Sequence, residues 1–159
     1  MAKATWMCCG RDCNPGVADL SIELPVKEAP PERDSRWEPL FQAAQDSEPV
    51  PLAGWRTEAA MEGEHVLLKL TAESDAAKAQ CAKIQEAVFF TRDGFINPDK
   101  GQQFAKPAPN VITISMTHSE YDEHPDAKQF GAVLTCNEGW AGEGKARAVA
   151  VTVPVHRKN

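Results

Sequence analysis

The chain has 159 residues, 42% of them hydrophobic and 25% charged, with a formal net charge of -6. That length suits one domain of ordinary size, or one domain carrying part of another, and the composition is that of a chain able to form a core. Lys and Arg are scattered, so the basic footprint of a nucleic-acid binder is missing. The longest apolar runs, such as Val66-Leu67-Leu68, fall far short of the roughly 20 residues needed to cross a bilayer.

Met1 to Met7 carries one positive charge and no continuous apolar stretch, and so does not read as a secretory signal. Next comes Cys9-Gly10-Arg11-Asp12-Cys13, a C-x3-C spacing followed at once by Asn14-Pro15-Gly16. Gly10 and the Pro-Gly pair predict a tight, non-helical loop able to bring two sulfurs together. From Val17 to Val26 the apolar residues Val17, Leu20, Ile22, Leu24 and Val26 settle into alternation with Asp19, Ser21, Glu23 and Pro25, the pattern of a half-buried strand. Residues 27–35 hold two prolines, five charges and no large apolar side chain, which marks a solvated linker and a boundary.

Ser35 is positioned to cap a short helix through Trp37, Leu40, Phe41 and Ala44, ended near Pro49 and Pro51. Strand patterns follow at Trp55 to Ala59, His65 to Thr71, Ala87 to Thr91, Val111 to Thr117, Phe130 to Cys136 and Ala146 to Val155. Between the second and third, Ser74 and Asp75 can cap a helix with Ala77, Cys81, Ile84 and Val88 on one face, or the segment can open a long strand into Phe89-Phe90. Asp93-Gly94, Asn97-Pro98, Pro107 and Pro109 punctuate a stretch of turns and irregular loop. The expected fold is all-β: an immunoglobulin-like β-sandwich over 52–159, a linker and short helix over 27–51, and over 1–26 a fragment of a second β domain.

Five cysteines leave one thiol over in any fully paired scheme. In the chain-entropy model a ring as short as Cys9–Cys13 stabilises a fold by about 2 kcal/mol, against about 4 kcal/mol for a bridge between Cys81 and Cys136. A weak staple suits a bond that is made and broken, because its second thiol stays close enough to resolve a mixed disulfide. The alternatives for Cys9 and Cys13 are a structural disulfide or inert thiols, and a soft ion such as Cu(I) held by Cys8, Cys9 and Cys13. Zinc would need a fourth ligand from afar, since no second C-x2-C or H-x3-H pair exists. Cys81 and Cys136, each on an apolar pattern, are either two core thiols or one structural bridge. His118 and His124, amid Glu120, Asp122 and Glu123, form either a metal site or a polar turn-rich loop. A Cys-His hydrolase finds no histidine that the sequence nominates as base, and no cofactor is implied.

Trp6-Met7-Cys8-Cys9-Gly10-Arg11-Asp12-Cys13-Asn14-Pro15-Gly16, then a strand ending Leu24-Pro25-Val26, gives W-x-x-C-x-x-x-C-x-P-G followed by L-x-I-x-L-P-V. This pattern resembles the end of the periplasmic N-terminal domain of the DsbD/ScsB family, the thiol:disulfide interchange proteins and suppressors of copper sensitivity. Trp37 to Pro51 resembles the helical connector of the ScsB type, and Phe89-Phe90, Gly94, Ile96 and Gln102-Gln103 resemble a turn in the second β domain. The resemblance implies a periplasmic dithiol, Cys9 and Cys13, that receives electrons from a membrane electron-transfer domain and reduces disulfides in periplasmic thiol-disulfide proteins. Arg11 would favour the thiolate and Asp12 would oppose it. In that frame the chain is a truncated or split member, and the strands that should pair with Val17 to Val26 are missing. The rival expectation is a non-enzymatic β-sandwich that binds a protein partner, its cysteines structural or copper-holding.

Overall fold

The computed structural model describes residues 1–9, 12–24, 26, 28, 32–140 and 146–158. The described chain is mostly strand, with two helices, and the all-β expectation is met by a curled multi-strand sheet plus a small one. It divides into two compact units, Met1–Glu38 and Pro39–Asn159.

The first unit is a hairpin. β1 (Ala2–Cys9) pairs antiparallel with β2 (Cys13–Leu20), in a register that runs from Ala2↔Leu20 to Cys9↔Cys13. The expected strand from Val17 to Val26, lacking any partner, is thus corrected: the strand begins at Cys13, ends at Leu20 and has its partner in the same chain. Alternation alone continues past Leu20, but a strand needs a ladder, and the ladder's last pair is Ala2 with Leu20. Pro25, Lys27 and Ala29 to Pro31, from the predicted strand end and linker, lie outside the described residues.

Helix α1 (Glu38–Asp46) follows a turn in which the Asp34 carboxylate accepts the Arg36 N–H at 2.9 Å, so Asp34, not Ser35, organises its start. None of its residues is buried.

The second unit is built on β3 (Val50–Pro51), β4 (Trp55–Glu62), β5 (His65–Ala72), β6 (Val88–Thr91), β7 (Gln103–Ala108), β8 (Val111–Thr117), β9 (Gln129–Thr135) and β10 (Ala148–Lys158), with helix α2 (Asp75–Lys83) after β5. The strands lie in the order β6-β9-β10-β4-β5-β8-β7, with β3 alongside β10. β10 joins the two halves. Residues Ala148 to Pro154 pair antiparallel with β9, and Val155 to Lys158 pair parallel with β4.

Period-2 alternation makes one core of this sheet. Val66, Leu68, Leu70 and Ala72 point inward from β5, Ile112, Ile114 and Met116 from β8, Phe130, Ala132 and Leu134 from β9, and Val149, Val151, Val153 and Val155 from β10. The opposite face of β4 and β5 carries charge: Glu58 accepts from Lys69 at 3.0 Å and from Arg56 at 3.3 Å. A two-residue turn joins β4 to β5, with Gly63 at φ +58°.

Of the two alternatives for this segment the helix forms, with Ser74 as N-cap accepting the Ala77 N–H at 3.1 Å. It does not run on to Val88. Ile84 is the C-cap, Lys106 donates to the Ala82 and Ile84 carbonyls, and strand resumes at β6.

The stretch expected as irregular loop contains β7. Pro107 and Pro109 argue against a central strand, but β7 lies at the end of the sheet, where a missing N–H is tolerated, and its register shifts between Ala105 and Ala108. At the other end of the sheet, Gln102 takes the place of a neighbouring strand. Its carboxamide accepts the Phe89 N–H at 2.9 Å and donates to the Phe89 carbonyl at 2.7 Å.

Leu68 and Leu67 separate core from surface on one strand. Leu68 is 0% exposed and Leu67 43%. Leu68→Ala is expected to lower the unfolding free energy by about 2–5 kcal/mol in a urea titration, and Leu67→Ala to change it by no more than about 0.5 kcal/mol. Equal losses at the two positions would contradict this assignment of faces.

Candidate functional site

Cys9 and Cys13 are directly opposite each other in the last pair of the β1–β2 hairpin, both exposed, their sulfurs 2.6 Å apart. Register explains the meeting. Residues opposite each other in an antiparallel ladder have Cα atoms about 4.5 or 5.5 Å apart, and a disulfide accepts roughly 4.4–6.8 Å. Either sulfur can donate in this contact, and the hydrogen bond with Cys13, with a little desolvation, raises the Cys9 thiol above its ordinary value. Gly10 and Arg11, for which the sequence suggested loop-forming and thiolate-favouring roles, lie outside the described residues. Asp12 is exposed.

Alternation along the strands places Cys9, Met7 and Thr5 on one face with Cys13, Pro15 and Val17, and Cys8, Trp6 and Ala4 on the other with Asn14, Gly16 and Ala18. Cys8 therefore lies on the face opposite the Cys9–Cys13 pair. Among the described residues no group of three His, Cys, Asp or Glu side chains is placed to hold a metal ion, and this covers both the three-cysteine copper alternative and the His118 loop. Trp6 and Gly16 hold the register. The indole lies so close on Gly16 that a Cβ there would overlap it, an aromatic-on-glycine contact across the ladder.

Cys81 and Cys136 are free thiols buried in the core. Burial raises both, Cys136 to about 11, against amides of Gly139 and Glu138 that favour its thiolate. A thiol so raised stays protonated at neutral pH and packs as a small apolar group. In this structure they are two core thiols and not one bridge.

His118 turns to Asp122. Its Nε2 lies 2.9 Å from Asp122 Oδ2, and Oδ1 of the same carboxylate accepts the His124 N–H at 2.9 Å. Phe95 packs edge-on against the imidazole, and the Asp122 side chain is only 4% exposed. The polar loop thus has a partly buried anchor. His65 pairs in the ladder with Thr117 and Glu62 as part of β5. One open depression of about 510 Å³ crosses the outer face of β6, β9 and β10 near Phe90, Arg92 and Gly131, and no cysteine lines it.

The sequence missed β1, whose alanines and single lysine give a weak strand pattern. The signal was nonetheless present: a C-x3-C loop containing glycine, flanked by Thr5-Trp6-Met7 on one side and Val17 to Leu20 on the other, is a hairpin signature. Comparison of the chain with protein-family models, with curated proteins and with solved structures finds no match. No described helix is long and apolar enough to cross a membrane.

Burial alone would raise the Asp122 carboxyl, but the hydrogen bonds from His118 and the His124 N–H, with the nearby charges of His118 and Arg157, outweigh it and hold the group below its ordinary value. A carboxyl depressed in the folded state stabilises at pH above the unfolded value, about 3.9, and that stabilisation is lost as pH falls through the folded value. Urea midpoints of the native chain should therefore fall between pH 6 and pH 3 more steeply than those of Asp122→Asn. Parallel pH profiles for the two proteins would contradict this anchoring role.

Proposed function

We propose that the chain is a thiol-disulfide exchange protein, and that Cys9 and Cys13 are its dithiol. The observation that carries the reading is the cross-strand position of two exposed cysteines in the last pair of a two-stranded ladder, at the end where the chain passes from β1 to β2. The two free thiols are within hydrogen-bond reach of each other across that ladder, and solvent reaches both. Such a pair can exchange. A thiolate attacks one sulfur of a partner disulfide and forms a mixed disulfide, while the second cysteine waits within bonding distance to attack the first and release the reduced partner. The bond closes a ring of five residues, so its making and breaking places little strain on the rest of the chain.

The resemblance of Trp6 to Val26 to the DsbD/ScsB family supports the same chemistry and supplies the compartment and partners of the proposal: the periplasm, a membrane electron-transfer domain as donor, and periplasmic thiol-disulfide proteins as acceptors. Cys81 and Cys136 have no part in the exchange, since both are buried.

Equilibration in buffers of reduced and oxidised glutathione, followed by alkylation and mass spectrometry, is expected to show Cys9 and Cys13 losing two alkyl groups together at a defined potential, while Cys81 and Cys136 resist alkylation in the folded chain. Should Cys9 and Cys13 stay alkylatable throughout, the dithiol reading fails. The same titration measures the hairpin. Gly16→Ala displaces the Trp6 indole, and losing roughly 1 kcal/mol of cross-strand contact is expected to shift the equilibrium up to about fivefold toward the dithiol. An unshifted midpoint would show that Trp6 has no part in holding the two sulfurs in register.

A further inference from the structure

We propose that the outer edge of β1 is the docking site for the protein substrate, an extended segment carrying a disulfide, which adds as a third strand with its half-cystine opposite Cys9. This rests on the exchange reading above and names what that dithiol recognises.

Three observations carry it. First, among the described residues the hairpin is a sheet of two strands, each with an unpaired edge, and two strands alone are marginally stable in water. Open edges are templates for an added strand. Second, the two edges differ. β2 contains Pro15, which has no N–H to give, whereas β1 contains no proline and Lys3 is its one charge. The complete, nearly uncharged row of donors and acceptors belongs to β1. Third, the face that carries both sulfurs also exposes Met7 and Val17, at 62% and 59%, so apolar side chains flanking a partner cysteine find apolar surface beside the sulfurs.

The added strand gives the chemistry a direction. With the order substrate, β1, β2, three sulfurs line up across the sheet, and Cys9 is the middle one. Residues opposite each other on neighbouring strands have Cβ atoms about 4.5–5.5 Å apart, the reach of a disulfide. Cys9 therefore bears the mixed disulfide, and Cys13 approaches its sulfur from the side opposite the substrate.

The electrons balance as follows. Either sulfur can donate in the Cys9–Cys13 hydrogen bond, so once Cys9 has given its proton to solvent its thiolate can accept the S–H of Cys13. Cys9 attacks, the substrate S–S bond breaks, and one substrate sulfur leaves as thiolate. Cys13 then loses its proton to solvent and attacks Cys9, forming the Cys9–Cys13 bond and expelling the second substrate sulfur as thiolate. Two electrons pass from the dithiol to the substrate disulfide.

The test follows single-turnover oxidation of the reduced full chain by two kinds of disulfide, oxidised glutathione and a nine-residue peptide of apolar and β-branched residues whose central cysteine is disulfide-bonded to glutathione. Two further peptides carry backbone N-methyl groups on alternate sets of residues. The peptide is expected to react at least tenfold faster than oxidised glutathione. One N-methyl set, the one facing β1, is expected to erase that advantage, and the other to leave it. Cys13→Ser is expected to trap the peptide on Cys9.

No reaction with any disulfide sinks the exchange reading itself. Normal reaction with oxidised glutathione, but no peptide advantage or equal effects of both N-methyl sets, overturns the docking edge alone. Trapping on Cys13 in a Cys9→Ser chain, with none on Cys9, overturns the order of sulfurs. Sedimentation showing a dimer whose Thr5 and Met7 amides are protected from exchange would also overturn it, because a second copy would then occupy the edge.

Discussion

Strand β10 is the constraint on which the larger unit depends. It hydrogen-bonds to β9 over Ala148 to Pro154, then to β4 over Val155 to Lys158, so one continuous strand belongs to both halves of the curled sheet. Four valines at every second position, Val149 to Val155, face the core through both pairings. Were the strand to slip by one residue, all four would turn to solvent and Ala150, Thr152, Pro154 and His156 would turn inward. Pro154, which ends the β9 ladder, lacks an N–H, and the Val155 N–H goes to the Lys128 carbonyl at 2.8 Å. The change of partner thus falls where the ladder already has a gap.

The same rule of register governs the hairpin, with sulfur in place of valine. Cys9 meets Cys13 because the ladder pairs residues whose numbers sum to 22, as Trp6 with Gly16 and Ala2 with Leu20 show. A one-residue slip would put Cys8 on the Cys13 face and break the Trp6–Gly16 contact. No described residue of this unit is buried, so no core among them enforces the register. Trp6 is 53% exposed and Leu20 55%, so what the described residues offer is the indole over Gly16 and the ladder hydrogen bonds. The two units contrast in this way. One buries Leu68, Leu70, Ile112, Ile114 and Leu134 completely, and the other keeps its apolar side chains largely in solvent.

The cysteines follow these environments. Cys81, on the buried side of α2, and Cys136, just beyond β9, are surrounded by core and held protonated by desolvation. Cys9 and Cys13 are exposed, and their sulfurs lie against each other. One residue type therefore serves two ends in this chain, as a small apolar filler where water is excluded and as an available thiol where it is not.

Much of this was legible in the sequence. Alternation located β5, β8, β9 and β10 to within about two residues at their starts, because each has one face in the core and one in water, and period 2 records that directly. Ser74 announced α2 because a cap is a local hydrogen bond. The C-x3-C spacing nominated the sulfur pair because a short loop between two cysteines leaves few places for them to go. Tertiary structure decided what depends on a distant partner. It paired β2 with β1 from Cys13 to Leu20, admitted Pro107 into β7 because that strand is at the end of the sheet, and assigned Cys81 and Cys136 to packing in place of a bridge. Above all it turned Ala2 to Cys9 into a strand. Composition gives that stretch little reason to be extended, and its ladder to β2 is a property of two segments together, which neither shows alone.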